Sequence, residues 1–260
     1  MRVGLMQREF DNIRQVRALG LDQAPLRAVH ALAVNPDLGC LLVEEFASGE
    51  SLHSSIRDVG LNGKHTELST RLSDVASFLA QLHNASATDH PGGDRNALAY
   101  LEEVIGQLTI WQVITPEQAE DLRRIGQRWE ASGELRGATE VLIHGDATPT
   151  QFLFSDSGVV VIDFERLQYG DRAADIGRIA AELKHLFAIY ASDPWASEPY
   201  IQRFYHDYYS QAQAAGDFSW LTKRARFHMG CSELRIARNG WEDLAHRQWL
   251  VTEAAACLQL

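Results

Sequence analysis

The chain has 260 residues, of which 45% are hydrophobic and 23% charged, and its formal net charge at pH 7 is −11. This composition predicts a globular chain with one large core or two unequal lobes. The acidic balance argues against nucleic-acid binding through phosphate contacts, and no apolar run approaches the roughly 18 residues of a membrane span. Because no signal-peptide pattern is present, we expect a cytoplasmic protein that has neither a nucleic-acid nor a membrane partner.

The first predicted elements are a helix and two strands. Apolar residues recur with helical spacing from near Leu5 to Leu19, and Gly20 is a natural helix stop. Two strand-like runs follow, Ala28 to Val34 and Cys40 to Phe46, joined by the turn-forming segment Asn35 to Gly39. We therefore expect a helix packed beside a pair of short antiparallel strands.

Beyond residue 47 the pattern becomes mainly helical. Apolar residues are spaced as in a helix from Leu68 to His83 and again from Leu98 to Leu108. Thr115 and Gln118 flank a proline in the arrangement of a capping box, which predicts the start of another helix. Further helical patterns run from Asp175 to the end of the chain.

The most informative segment lies between these helices, at residues 141–163. An apolar strand ends in His144-Gly145-Asp146, and a hairpin with its turn at Gly158 leads to Asp163. Gln151 follows Asp146 by five residues. Phosphoryl transfer needs one carboxylate that accepts the proton of the attacking hydroxyl, together with an amide and a second carboxylate that hold magnesium. The hairpin is expected to bring these three side chains together.

These pieces resemble the aminoglycoside phosphotransferase and choline kinase-like family, from about Gln7 to the C-terminus. The resemblance rests on His144-Gly145-Asp146, the hairpin, Asp163 and the later segment Gly170-Asp171-Arg172-Ala173-Ala174-Asp175. It implies an α+β, protein kinase-like fold. Residues 1–47 would form a reduced N-lobe with the hinge, and residues 48–260 a mainly helical C-lobe that carries the catalytic loop.

The resemblance also implies an activity, namely ATP-dependent phosphotransfer to a hydroxyl of a small molecule of the amino sugar or amino alcohol type. Asp146 would be the catalytic base, and His144 would support its loop, with His144 as the base a second choice. Gln151 and Asp163 would hold Mg²⁺. The family position of Gln151 is normally Asn, and the longer side chain shifts the amide oxygen by about one C–C bond, to which an octahedral site is sensitive.

The nucleotide side of the site departs further from the family pattern. The resemblance places adenine at the backbone of Glu45, Phe46 and Ala47. Kinase-like folds cover the phosphates with a glycine-rich loop and reach them with a lysine, but neither is found before this hinge. The chain has only three lysines, all later: Lys64, Lys184 and Lys223.

Several alternatives stay open. Glu9 is either the helix glutamate that pairs with the phosphate lysine or a solvated carboxylate near a helix start. The missing lysine and loop favour a catalytically impaired kinase-like binding protein, whereas the retention of Asp146 and Asp163 favours an enzyme. The missing strands could also belong upstream of Met1.

Overall fold

The computed structural model describes residues 2–35, 41–63, 65–90, 92 and 95–260. The helices are α1 (Arg2–Ala18), α2 (Leu52–Asn62), α3 (His65–Ala85), α4 (Arg95–Ile110), α5 (Pro116–Ser132), α6 (Ala173–Tyr190), α7 (Glu198–Tyr209), α8 (Phe218–Ala237) and α9 (Leu244–Cys257). The strands are β1 (Asp22–Gln23), β2 (Leu26–Ala28), β3 (Ala31–Asn35), β4 (Leu41–Glu44), β5 (Glu50–Ser51), β6 (Glu140–Ile143), β7 (Phe152–Ser155), β8 (Gly158–Val161) and β9 (Gln168–Asp171).

The N-terminal elements follow the prediction with one difference. Helix α1 is present, and β3 pairs antiparallel with β4. The expected run from Ala28 to Val34 is divided between β2 and β3, because the Val29 amide donates to the Val161 carbonyl (2.9 Å) and holds the first half of the run against β8. The turn predicted at residues 36–39, and Cys40 at the start of the second run, lie outside the described residues.

The β7–β8 hairpin is part of a five-stranded sheet with the order β1-β2-β8-β7-β5. Strands β7 and β8 form the predicted antiparallel hairpin, and β8 also pairs parallel with β2 from the N-terminal region. Gly158 has a φ of 115°, and a Cβ there would lie 2.1 Å from the Pro25 carbonyl oxygen. Glycine at this turn thus permits the close approach of the two segments.

The remainder is mainly helical, which confirms the α+β fold class. Helix α6 packs against α8, and α8 packs against α9, so that α6 and α8 are largely buried. The predicted capping box is present at α5: the Gln118 amide donates to Thr115 Oγ1 (3.2 Å), and the Thr115 amide donates to Gln118 Oε1 (2.9 Å). The sequence patterns did not indicate α2 or β9. The division into two units at residue 47 stays a prediction.

No helix within the described residues is both long and apolar enough to cross a lipid bilayer.

Candidate active site

The loop after β6 is held by a buried carboxylate. The backbone amides of His144 and Gly145 donate to Asp175 Oδ2 and Oδ1, at 2.7 and 3.1 Å. Asp175 belongs to the first turn of α6 and is almost fully buried. One carboxylate thus accepts from two successive amides of the His-Gly-Asp segment, and fixes the loop to the start of a helix.

Asp175 is in turn supported by His83 from α3. His83 Nε2 lies 3.2 Å from Asp175 Oδ2, and its Nδ1 lies 2.7 Å from the hydroxyl of Tyr208. Burial by itself raises the pKa of Asp175, but the hydrogen bond and charge of His83 outweigh it and leave this pKa below its usual value. Asp175, His83 and Tyr208 thus form a buried hydrogen-bonded chain beneath the loop.

His144 connects the two halves of the motif. Its Nδ1 accepts from the backbone amide of Asp146 (3.3 Å), so its Nε2 carries the proton and donates to the Ile162 carbonyl (3.1 Å). The ring is fully buried and contacts Phe164, with 4.9 Å between the ring centroids. Because both ring nitrogens are engaged, this geometry gives His144 a supporting position and leaves neither nitrogen open to a substrate.

Gly145 is required by the same loop. Its φ is 78°, and a Cβ there would lie 2.3 Å from the Arg166 carbonyl oxygen. We expect Gly145→Ala to lower the free energy of unfolding by about 1–3 kcal/mol or more, because the left-handed backbone alone has about this cost for a non-glycine residue.

Urea unfolding of the purified variant measures this loss. Gly106→Ala is the matched control, since Gly106 lies in α4 with no atom within 4 Å of its added Cβ. Equal stability of the two variants would contradict the role given to Gly145.

Gln151 and Asp163 lie together, as predicted. Gln151 ends the short 3₁₀ turn Pro149–Gln151, and its side-chain amide donates to Asp163 Oδ2 at 3.1 Å. Asp163 has a φ of 63°. Burial, followed by the charge of Glu165, raises the pKa of Asp163, and the charge of Asp146 adds to this rise. Asp163 therefore lies within hydrogen-bond distance of Gln151 and within electrostatic range of Asp146.

Asp146 lies among arginines that the sequence did not reveal. Its Oδ1 is 2.5 Å from Arg178 Nη1 and 3.7 Å from Arg235 Nη1, and its Oδ2 is 3.9 Å from Arg166 Nε. Arg235 also pairs with Glu182 at 2.9 Å. In the sequence, only the position of Arg178 could have indicated that it lies near Asp146. It follows Asp175 by one helical turn on α6, which places both side chains on one helix face.

Glu9 lies within electrostatic range of Asp163. It lies in the middle of α1 and is half-buried, and its pKa rises to about 7 through burial and then through the charges of Glu44, Asp163 and Glu165. Asn12, one turn later, donates to the Phe164 carbonyl at 2.7 Å. This placement does not fit a solvated helix-start carboxylate.

Neither described lysine serves as a partner for Glu9. Lys184 pairs with Glu253 and Lys223 with Glu134, both at 2.8 Å. Lys64 lies outside the described residues.

The predicted hinge follows β4. The Glu45 amide donates to the His30 carbonyl (2.9 Å), while the Glu45 side chain pairs with Arg27 and accepts from the His30 amide (2.8 Å). Phe46 is 91% exposed, and Ala47 packs against the core. Since the Glu45 amide is already bonded to the His30 carbonyl, a backbone amide contact to a ligand here would fall to Phe46 and Ala47.

A cavity of about 670 Å³ lies beside the His144-Gly145-Asp146 loop. It is bounded by α4, α6, α8, β9 and the segment after Asp163, and Gly145 and Arg178 bring it next to Asp146. Its charged lining includes Glu103, Glu140, Glu165 and Arg166. This volume is within the range of small-molecule sites, about 300–1,000 Å³.

Glu233 lies on α8, which borders this cavity, but it is not among the residues that line it. It is fully buried, and burial raises its pKa to about 8. The unfolded chain loses this proton near its ordinary pKa of 4.5, so the folded state is progressively disfavoured between about pH 4.5 and 8. We expect Glu233→Gln to gain stability relative to the wild type over this window.

Unfolding free energies of both proteins at pH 5 and pH 8 measure the effect, because pH-independent consequences of the substitution cancel in the difference. A difference that stays constant with pH would show that Glu233 is ionised in the folded state.

Comparisons with known proteins agree with this geometry. The chain is similar to a glucosamine kinase (TM-score 0.63, 18% identity, 95% of this chain and 67% of that one). It is also similar to the ADP-bound aminoglycoside phosphotransferase APH(2'')-Ib (0.62, 16%, 99% and 82%). A choline/ethanolamine kinase family protein from Mesorhizobium loti gives a TM-score of 0.66 at 13% identity, with 98% of this chain and 79% of that one covered.

In the complex of glucosamine kinase with glucosamine, ADP and inorganic phosphate, the match spans 66% of that chain. These likenesses establish the fold. No curated protein matches the chain by sequence. The model of the phosphotransferase enzyme family matches residues 3–227, and the chain therefore belongs to that family.

Proposed function

We propose that this protein is an ATP-dependent phosphotransferase that acts on a hydroxyl of an amino sugar or amino alcohol. The observation that carries the proposal is that Asp146, Gln151 and Asp163 lie close together beside a cavity of small-molecule size. The family membership supports phosphotransfer to a small molecule. The names of the similar structures, kinases of glucosamine and of choline or ethanolamine, support an amine-bearing acceptor.

Asp146 is the group that accepts the proton of the acceptor hydroxyl. His144 and Asp175 hold the backbone on either side of Gly145, so the Asp146 carboxylate keeps its position when substrate enters. Arg178 orients that carboxylate and shares it with the incoming hydroxyl. Positioning of this kind is the main contribution that a protein makes to phosphoryl transfer.

The groups around Asp163 suit a magnesium ion. The Asp163 carboxylate and the Gln151 amide oxygen, after a half-turn of the amide, are hard oxygen donors. Glu44 Oε1 is buried without a hydrogen-bond partner among the described residues, and burial and then the charge of Asp163 raise the pKa of Glu44. A divalent cation would relieve this concentration of negative charge. When bound, it would neutralise charge on the phosphates of ATP.

The acceptor cavity contains carboxylates that suit an amine. Glu103, Glu140 and Glu165 line it, and carboxylates form charge-assisted hydrogen bonds with ammonium groups. Arg166 and Arg178 belong to the same lining, and both lie close to Asp146. We place the ammonium group of the acceptor on the glutamate side of the cavity and its hydroxyl beside Asp146.

The experiment is a product assay with ATP, magnesium and matched acceptor pairs. Glucosamine is compared with glucose, and ethanolamine with ethylene glycol, so that each pair differs chiefly in the amine. Phosphorylation of the amine-bearing member, with the other member a poorer acceptor, supports the proposal. Equal rates within each pair would contradict the amine contact, and the absence of any phosphorylated product would contradict the activity.

A second candidate is a catalytically impaired kinase-like binding protein. Its support is the Asp146–Arg178 contact of 2.5 Å, which already occupies the carboxylate that would accept the proton. Calorimetry with the same acceptors distinguishes the two. Binding of an acceptor that yields no product with ATP and magnesium identifies the binding protein, whereas binding with turnover identifies the enzyme.

A further inference from the structure

A second group of potential ligand atoms lies at the far end of α6. His185, Glu242 and His246 each place one such atom within 4.8 Å of the others. His185 follows Asp175 by ten residues on α6, a separation of about 15 Å along a helix. The group is therefore separate from the catalytic loop.

The two imidazole rings face each other directly. His185 Nδ1 lies 2.9 Å from His246 Nε2, and His185 Nε2 lies 3.8 Å from Glu242 Oε1. Two N–H groups cannot point at one another at this distance, so at least one nitrogen presents a lone pair. A lone pair, a second imidazole and a carboxylate are the ligand types of a three-residue zinc site.

The surrounding elements hold these side chains in place. His185 is buried on α6, and His246 belongs to the first turn of α9, where its backbone amide donates to the capping residue Asp243 (2.9 Å). The His246 ring also contacts Trp249, with 5.2 Å between the ring centroids. Because helices carry both rings, only small movements are needed to complete the site.

The charge nearby is balanced. Arg235 acts electrostatically on His185, but Glu182 pairs with Arg235 at 2.9 Å. Glu242 then contributes a negative charge that offsets part of the charge of a bound cation. The group thus combines two nitrogen donors with one anionic oxygen.

We propose that His185, Glu242 and His246 bind a transition-metal ion of the Zn²⁺ type, with a water molecule as the fourth ligand, in a site that joins α6 to the start of α9. With Zn–N bonds of about 2.0–2.1 Å in a tetrahedral site, the two nitrogens would separate to roughly 3.3 Å. The proton between them moves to the other nitrogen of its own ring when the ion binds, because each imidazole binds as a neutral ligand. This site does not depend on the proposed phosphotransferase activity, and magnesium, which prefers oxygen ligands, is a poor occupant.

The test is metal binding by the full, untagged chain after chelator treatment. Titration with Co²⁺ should give one equivalent with the visible absorption of a four-coordinate ion, and Zn²⁺ should displace it. Glu242→Gln and His246→Ala should each lower the affinity at least about 100-fold, since even residues that only support metal ligands contribute about 10- to 100-fold.

His206→Ala is the matched control, because His206 is an exposed histidine of α7 that stacks on Phe218. Zn²⁺ should raise the Tm of the wild type and of this control, and leave the Tm of His246→Ala unchanged. Glu242→Gln keeps the side-chain volume, so its loss of binding reports the ligand rather than the fold. The absence of a stoichiometric site in the wild type, or equal binding by His206→Ala and His246→Ala, would overturn the proposal.

Discussion

Asp146→Asn is expected to lower turnover by about 100- to 10,000-fold, the usual contribution of a positioned general base. The asparagine keeps the size of the side chain and an oxygen that can accept a hydrogen bond from Arg178, which lies 2.5 Å from Asp146 in the wild type. It lacks the carboxylate that takes the proton. Nucleotide affinity should change little, because Gln151 and Asp163 are untouched.

The measurement is kcat with the best acceptor, together with nucleotide binding by calorimetry and a melting curve. Asp156→Asn is the control, since Asp156 is exposed in the turn of the β7–β8 hairpin, and its turnover should equal that of the wild type. Full activity of Asp146→Asn would show that another group accepts the proton.

Asp163→Asn should weaken nucleotide binding as well as turnover. The neutral amide removes the negative charge of the expected magnesium ligand, so magnesium-dependent ATP affinity should fall by at least about 10- to 100-fold. Binding measured without magnesium should change far less, or improve slightly, because the lost charge also repels the phosphates. This pattern differs from that of Asp146→Asn, which affects turnover alone.

Calorimetric titrations with ATP, with and without magnesium, measure the difference. The wild type is itself expected to bind ATP weakly and with strong magnesium dependence, since both described lysines are paired with glutamates outside the proposed site. An Asp163→Asn variant with unchanged magnesium dependence would move the metal site away from Asp163.

Local sequence patterns predicted the central part of this protein well. The strand that ends just before His144, the hairpin that leads to Asp163, and the capping box at Thr115 could all be predicted, because each depends on residues only a few positions apart. Helix α2 and strand β9 were not predicted. The burial of α2 on one side and the pairing of β9 with β6 depend on distant partners that leave no strong local pattern.

The sequence by itself determined the order of the motif residues, and hence that Asp146, Gln151 and Asp163 meet, since one strand, loop and hairpin carry them all. Only the tertiary structure decided what surrounds them. Arg178 and Arg235 reach Asp146 from two different helices, and the separate group of His185, Glu242 and His246 likewise combines α6 with the start of α9. Helix packing brings such residues together, and their spacing in the chain does not encode that packing.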